Sequence, residues 1–141
     1  MTPGKIPPTI IVAAALITRP DGTILIAQRP RSSKLHGFWE FPGGKVEAGE
    51  DPREAVVREC REELGIKVEA GRIYETIFHS VGGNCILLLF YLVRVIEGEP
   101  RSMEQNALAW VTPEGMRLYE LLEPDRPLVD QFLQRFPSFE R

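Results

Sequence analysis

The sequence predicts an α/β fold with helices on both sides of a mixed β-sheet. Three observations carry this: β-rich runs and helical patterns interleave along the chain, the two clearest helical segments each have an apolar stripe on one side only, and 141 residues fit a single compact domain over 1–141.

Residues 9–18 and 23–29 are β-rich runs on either side of Arg19-Pro20-Asp21-Gly22, whose Asp-Gly step favours a hairpin. From Arg31 to Gly37 the chain is polar without a period, and Phe38-Trp39-Glu40-Phe41-Pro42 then feeds a tight turn at Gly43-Gly44. A helix follows over 52–64: Asp51 stands at its N-cap, Pro52 at its first position, Glu54 is placed to close a capping box, and Gly65 to end it in a left-handed turn. Val56, Cys60 and Leu64 recur on one face of it at i, i+4 and i+8. Residues 67–79 and 84–96 read as two long strands around a Val81-Gly82-Gly83-Asn84 turn, and 107–111 as a short one. Thr112-Pro113-Glu114 reads as an N-cap and helix start, and 126–136 as a last helix carrying Leu128, Val129, Phe132, Leu133 and Phe136.

Bulk properties exclude several functions. A net charge of -3 argues against a protein that coats duplex nucleic acid, which needs a basic face. The longest apolar run, Ile86 through Val93, is far short of the ~20 residues that cross a bilayer. Ile10 to Ile17 is apolar but follows Pro7 and Pro8, unlike a signal peptide, so the cytoplasm is the expected location. Cys60 and Cys85 lack the paired spacing of a zinc site and are expected to be core thiols.

Chemistry is concentrated on the first helix. Glu59, Glu62 and Glu63 at i, i+3 and i+4 emerge from one face, and the like-charge i,i+4 pair alone costs roughly 0.2–0.5 kcal/mol. One reading is a solvated acidic face tempered by Arg58 and Arg61. The other is a hard-oxygen site for Mg²⁺ or Mn²⁺, which would supply the positive charge the composition lacks. Gly43-Gly44-Lys45 lies just upstream, where glycine allows close backbone approach, and it does not match a P-loop.

Residues 44–66 read Gly44, five residues, Glu50, seven residues, then Arg58-Glu59-Cys60-Arg61-Glu62-Glu63-Leu64-Gly65-Ile66. This resembles the Nudix box, Gx5Ex7REUxEExGU, at every fixed position; Cys60 stands where the family usually has a bulkier aliphatic residue. The resemblance to MutT-type members extends to Gln28-Arg29, to Phe41-Pro42-Gly43-Gly44-Lys45, and from Gly98-Glu99-Pro100 through Glu104 to Trp110.

The resemblance implies a Nudix α/β/α sandwich with a central mixed β-sheet and a loop-helix-loop catalytic motif. It implies Mg²⁺, with Mn²⁺ possible, held by Glu59, Glu62, Glu63, the Gly43 carbonyl and Glu104, and it makes Glu50 and Arg58 the pair that orients the helix carboxylates. Glu104 also has a plainer reading, as an exposed loop glutamate. The implied reaction is attack of water on a nucleotide diphosphate linkage, giving nucleoside monophosphate and pyrophosphate from a triphosphate. Glu59, then Glu104 or Glu50, would accept the water's proton.

By the same resemblance Arg29 contacts substrate, Phe41 lines the base pocket and Asp125 reads the base edge. Asp125 fits an N-cap of the last helix equally well. An ionised aspartate only accepts hydrogen bonds, which favours bases with N–H donors: cytosine derivatives or an oxidised purine. Trp39, Phe78 and Leu35 are further candidates for the pocket wall. Other readings are dinucleoside polyphosphates, capped RNA, ADP-ribose, and a binding module without turnover. The lack of proline between Pro52 and Pro100 weighs against ADP-ribose, and the retention of every box carboxylate weighs against the module. Monomer and homodimer are both open.

Overall fold

The computed structural model describes residues 7–104 and 106–141. In chain order the elements are β1 (Ile10–Ile17), β2 (Ile24–Gln28), β3 (Trp39–Glu40), β4 (Gly43–Lys45), α1 (Pro52–Leu64), β5 (Lys67–Val81), β6 (Asn84–Glu97), β7 (Leu108–Val111) and α2 (Arg126–Gln134). They build a four-stranded sheet in the order β4-β1-β6-β5, with β1 and β6 parallel, and a three-stranded antiparallel sheet β3-β2-β7.

Both faces of the larger sheet are apolar, and the two-residue period of a strand assigns each face its helix. Ala13, Ala15 and Ile17 of β1 pack with Ala55, Val56, Cys60 and Leu64 of α1. Ala14 and Leu16 turn the other way, into the cluster that holds Leu128, Val129 and Phe132 of α2. This is the expected α/β/α sandwich. Asp51 caps α1 by accepting from the Arg53 amide at 2.8 Å, and Gly65 ends it at φ 66°. Among the described residues Glu54 makes no return bond to the cap.

Several expectations are corrected. β1 and β2 share one bridge, Thr18–Ile24, and then part into different sheets rather than forming a hairpin. Ile24 to Ala27 are all buried, so the strand needs cover on both faces, which a two-stranded ribbon cannot give. The segment read as a loop and tight turn contains two short strands: Trp39 and Glu40 pair with Gln28 and Ala27, and Gly43 to Lys45 pair with β1. The helix expected after Thr112 is one 3-10 turn, Gly115–Leu118, with Thr112 Oγ1 accepting from the Gly115 amide. It stops because the backbone at Glu120 and Leu122 bonds instead to Trp39. Cys60 is a core thiol, its pKa pushed up to about 12 by burial, whereas Cys85 is only half-buried.

Candidate active site

Arg58 is the organiser of the acidic face of α1. Its Nε and Nη2 donate to the two oxygens of Glu50 at 2.8 and 3.0 Å, and Nη2 also reaches the Lys45 carbonyl at 3.1 Å. Its Nη1 donates to Glu59 at 2.9 Å and to Glu62 at 3.3 Å. One planar fork thus ties the loop before α1 to the carboxylates on it, the geometry for which arginine and not lysine is suited. The guanidinium holds the Glu50 carboxyl down at about 2.

Glu63 is governed by the opposite forces. Burial, a hydrogen bond with Glu59, and the nearby Glu59, Glu40 and Glu104 charges push its pKa up to about 9. Glu104 comes within range because its loop is stapled to the end of α1: the Arg101 amide donates to Leu64 at 3.1 Å and the Met103 amide to Glu63 at 3.0 Å. Asn106 fixes the other end of that loop by donating to the Gln28 carbonyl.

The result is a recess of about 50 Å³ lined by Glu40, Gly43, Glu63 and Glu104 among others. That volume suits an ion with a water, since a water's share of liquid volume is about 30 Å³. Gly44 is part of the same construction. A Cβ there would lie 2.5 Å from Glu59 Oε1, so only glycine leaves the carboxylate its place. An all-oxygen donor set, two carboxyls in contact and an ion-sized recess fit a hard divalent cation. As the side chains stand, no three acidic, histidine or cysteine groups among the described residues are gathered tightly enough to coordinate one. Glu62 is the outlier, with its side chain 55% exposed and turned toward Arg58.

The recess opens into a cleft of about 470 Å³. Its floor is aliphatic, made by Val12 and Ala14 of β1 and Ile86 and Leu88 of β6. Arg29, Phe41 and Asp125 all line it, so the predicted substrate residues share one wall system with the predicted metal residues. Arg29 is held at the rim, with Nη1 3.1 Å from both Glu40 oxygens and Nε 2.8 Å from the Lys34 carbonyl. Phe41 is mostly core, edge-on to Phe90 and Phe132.

Asp125 departs from expectation in two ways. It stands at the N-cap position of α2, as one reading had it, but makes no side-chain cap bond there. At 3% exposure it is also the one buried polar or charged residue among the described residues. Burial, then the Glu40 charge, against a bond from the Phe41 amide, push its carboxyl up to about 8. Near neutral pH it therefore carries a proton and presents one donor and one acceptor, correcting the acceptor-only reading.

Of the other pocket candidates, Trp39 packs against Tyr119, while Phe78 and Leu35 are exposed and line no part of the cleft. Glu40 is the residue sequence reasoning missed. Burial raises its pKa against the pull of Arg29, and it faces both the recess and Asp125. Its only signal was an acid between two aromatics, Trp39 and Phe41.

A NUDIX domain model matches residues 8–136. A CTP pyrophosphohydrolase of Escherichia coli is 44% identical over 88% of this chain and 91% of its own. A putative 8-oxo-dGTP diphosphatase of Mycobacterium tuberculosis is 39% identical over 83% and 82%. Among solved structures, a MutT Nudix hydrolase from Burkholderia pseudomallei superposes with TM-score 0.78 at 32% identity, covering 89% of this chain and 98% of that one. The MutT protein from Methanosarcina mazei reaches 0.81 at 26% identity, covering 90% and 94%.

Proposed function

This chain belongs to the Nudix family, and from that premise we propose that it hydrolyses a nucleoside triphosphate to nucleoside monophosphate and pyrophosphate. The substrate class is a cytosine nucleotide or a triphosphate with an oxidised base, in keeping with the activities named for its relatives. The observation that carries this is one continuous cleft running from an acidic, ion-sized recess onto an aliphatic floor beside a single buried carboxyl. A phosphate chain and a flat base need those two environments in that order. The activity belongs in the cytoplasm, where nucleotides are, and no helix among the described residues is long and apolar enough to cross a membrane.

Nudix hydrolases generally depend on a divalent metal. The reading here is Mg²⁺, with Mn²⁺ as a substitute, held by Glu59, Glu63, Glu104 and the Gly43 carbonyl, with Glu62 turning in from the helix surface. When bound, the ion screens phosphate charge, polarises the phosphoryl group and lowers the pKa of the attacking water. The protein's own groups do the rest. Arg58 fixes the Glu59 carboxylate, and the glycine pair leaves room for that carboxylate and for the β1 backbone. Water adds to phosphorus, the bridging P–O bond breaks toward pyrophosphate, and a carboxylate takes the water's proton. Glu50 is a poor base because Arg58 holds it ionised at about 2, which leaves Glu59 and Glu104.

The test is pyrophosphate release with Mg²⁺ from normal and oxidised triphosphates, ADP-ribose and diadenosine polyphosphates, comparing wild type with Glu62→Gln and Glu63→Gln. Release from triphosphates that either variant abolishes is the expected result. Turnover of ADP-ribose or a dinucleotide alone overturns the substrate class, and unimpaired variants overturn the site.

A further inference from the structure

Strand β6 floors the cleft with Ile86 and Leu88, and β5 lies next to it just beyond the cleft-lining residues. One row of neighbours crosses the sheet from Lys45 through Val12 and Leu88 to Ile77, and the next row is Ile10, Ile86 and His79. Val12, Ile86 and Leu88 line the cleft. Directly paired residues on antiparallel strands share a face, with Cβ atoms about 4.5–5.5 Å apart, so His79 stands beside Ile86 on the cleft side. Phe78, one residue before it, is 62% exposed on the opposite face.

With neighbouring strands about 4.8 Å apart, β5 lies about 14 Å across the sheet from β4 and its glycines. A nucleotide whose phosphates lie at the mouth of the recess beside β4, with its base on the aliphatic floor, would extend toward β5. The floor it crosses is aliphatic, and the polar side chains on this face of the hairpin beyond Glu75 are His79 and, diagonal to it at the tip, Asn84. His79 is half-buried, so its ring is neither sealed in the core nor free in solvent.

We infer that His79 is a specificity-determining residue that closes the outer end of the cleft and hydrogen-bonds to the nucleobase, with Asn84 as an auxiliary contact. A neutral imidazole offers one donor and one acceptor, enough to distinguish bases that present different edges. The inference rests on the nucleoside triphosphate reading and deepens it.

The experiment uses full-length protein with Mg²⁺ and two substrates: the best triphosphate of the panel, and ribose 5′-triphosphate lacking a base. His79→Ala is expected to raise KM for the nucleotide by about 2- to 10-fold, the range of one neutral hydrogen bond, with kcat within about two-fold. KM for the baseless substrate stays unchanged, and His79→Gln recovers part of the loss. Asn84→Ala is expected to raise the nucleotide KM by less and likewise spare the baseless substrate. An equal KM rise on both substrates marks His79 as structural and overturns the inference, as does no rise on either. If wild type hydrolyses no triphosphate, the underlying reading falls and this one with it; if wild type is active and His79→Ala is indifferent, only this one falls.

Discussion

Asp125 offers the sharpest test of how burial sets the chemistry of this cleft. Its carboxyl titrates at about 8 in the folded chain against an ordinary value of 3.8. The folded state therefore holds the proton more tightly, and the group's contribution to stability is complete below about pH 4 and lost as pH rises through 8. At 1.36 kcal/mol per unit the gap corresponds to roughly 5–6 kcal/mol, of which about 4 falls between pH 5 and pH 8. Asp125→Asn keeps one donor and one acceptor but does not titrate. Its stability relative to wild type is expected to climb by about 4 kcal/mol over that interval, a relative Tm gain on the order of 10 °C for a chain of this size. Urea denaturation of both proteins at half-unit pH steps measures it. Parallel curves would mean that Asp125 ionises as an exposed acid does, and would refute the reasoning. Base preference gives a second readout. The protonated acid complements cytosine, which pairs an N3 acceptor with an exocyclic donor, whereas the ionised acid complements the two N–H donors of a guanine edge. The kcat/KM ratio for cytosine over guanine nucleotides is thus expected to fall as pH passes 8 in wild type and to stay level in Asp125→Asn.

The acidic corner yields four further expected outcomes. Gly44→Ala places a methyl against the Glu59 carboxylate, whose flexible end can yield, so activity should drop at least ten-fold while the urea midpoint moves little; a large loss of stability would contradict this. Arg58→Lys cannot reproduce the fork to Glu50 and Glu59, and a loss of about 10- to 100-fold in kcat/KM is expected, as for other residues that orient metal ligands. Glu50→Gln should produce a smaller loss, and a larger one would reopen Glu50 as the base. Saturating Mg²⁺ should stabilise the protein by about 2.7 kcal/mol at one hundred times its Kd, with Glu63→Gln abolishing the Tm shift; an equal shift in that variant would place the ion elsewhere.

What was legible in the sequence is what a single element encodes. The spacing of Glu59, Glu62 and Glu63 against Arg58 is a property of one helix, and so are the Asp51 cap and the Gly65 stop; all were readable from a 3.6-residue period. The family resemblance added Glu104 and Asp125, which no local pattern would have singled out. Less legible was anything set by pairing between elements. The split of β1 and β2 into separate sheets depends on β6 claiming β1 in parallel, a partner seventy-odd residues away. Trp39 and Glu40 look like loop until β2 is beside them.

The same division separates residue identity from protonation state. A sequence names Asp125 and Glu40 as acids, and an acid in an aqueous loop is an anion. Whether it stays one is decided by how many apolar neighbours the fold stacks on it and which charges it brings close. Here β3 carries Glu40 toward both Asp125 and the recess, and Arg29, tethered at the rim, pulls against the resulting negative charge. Environment thus divides the carboxyls: Glu50 is locked ionised by Arg58, while Glu63 and Asp125 are held toward their neutral forms by burial and by neighbouring acids, Glu40 among them for both. Acids of similar intrinsic strength end up ionised, as Glu50 is, or held toward the neutral form, as Glu63 and Asp125 are, because of what the fold stacks around them, which is why their protonation states had to wait for the fold even though every residue was visible from the start.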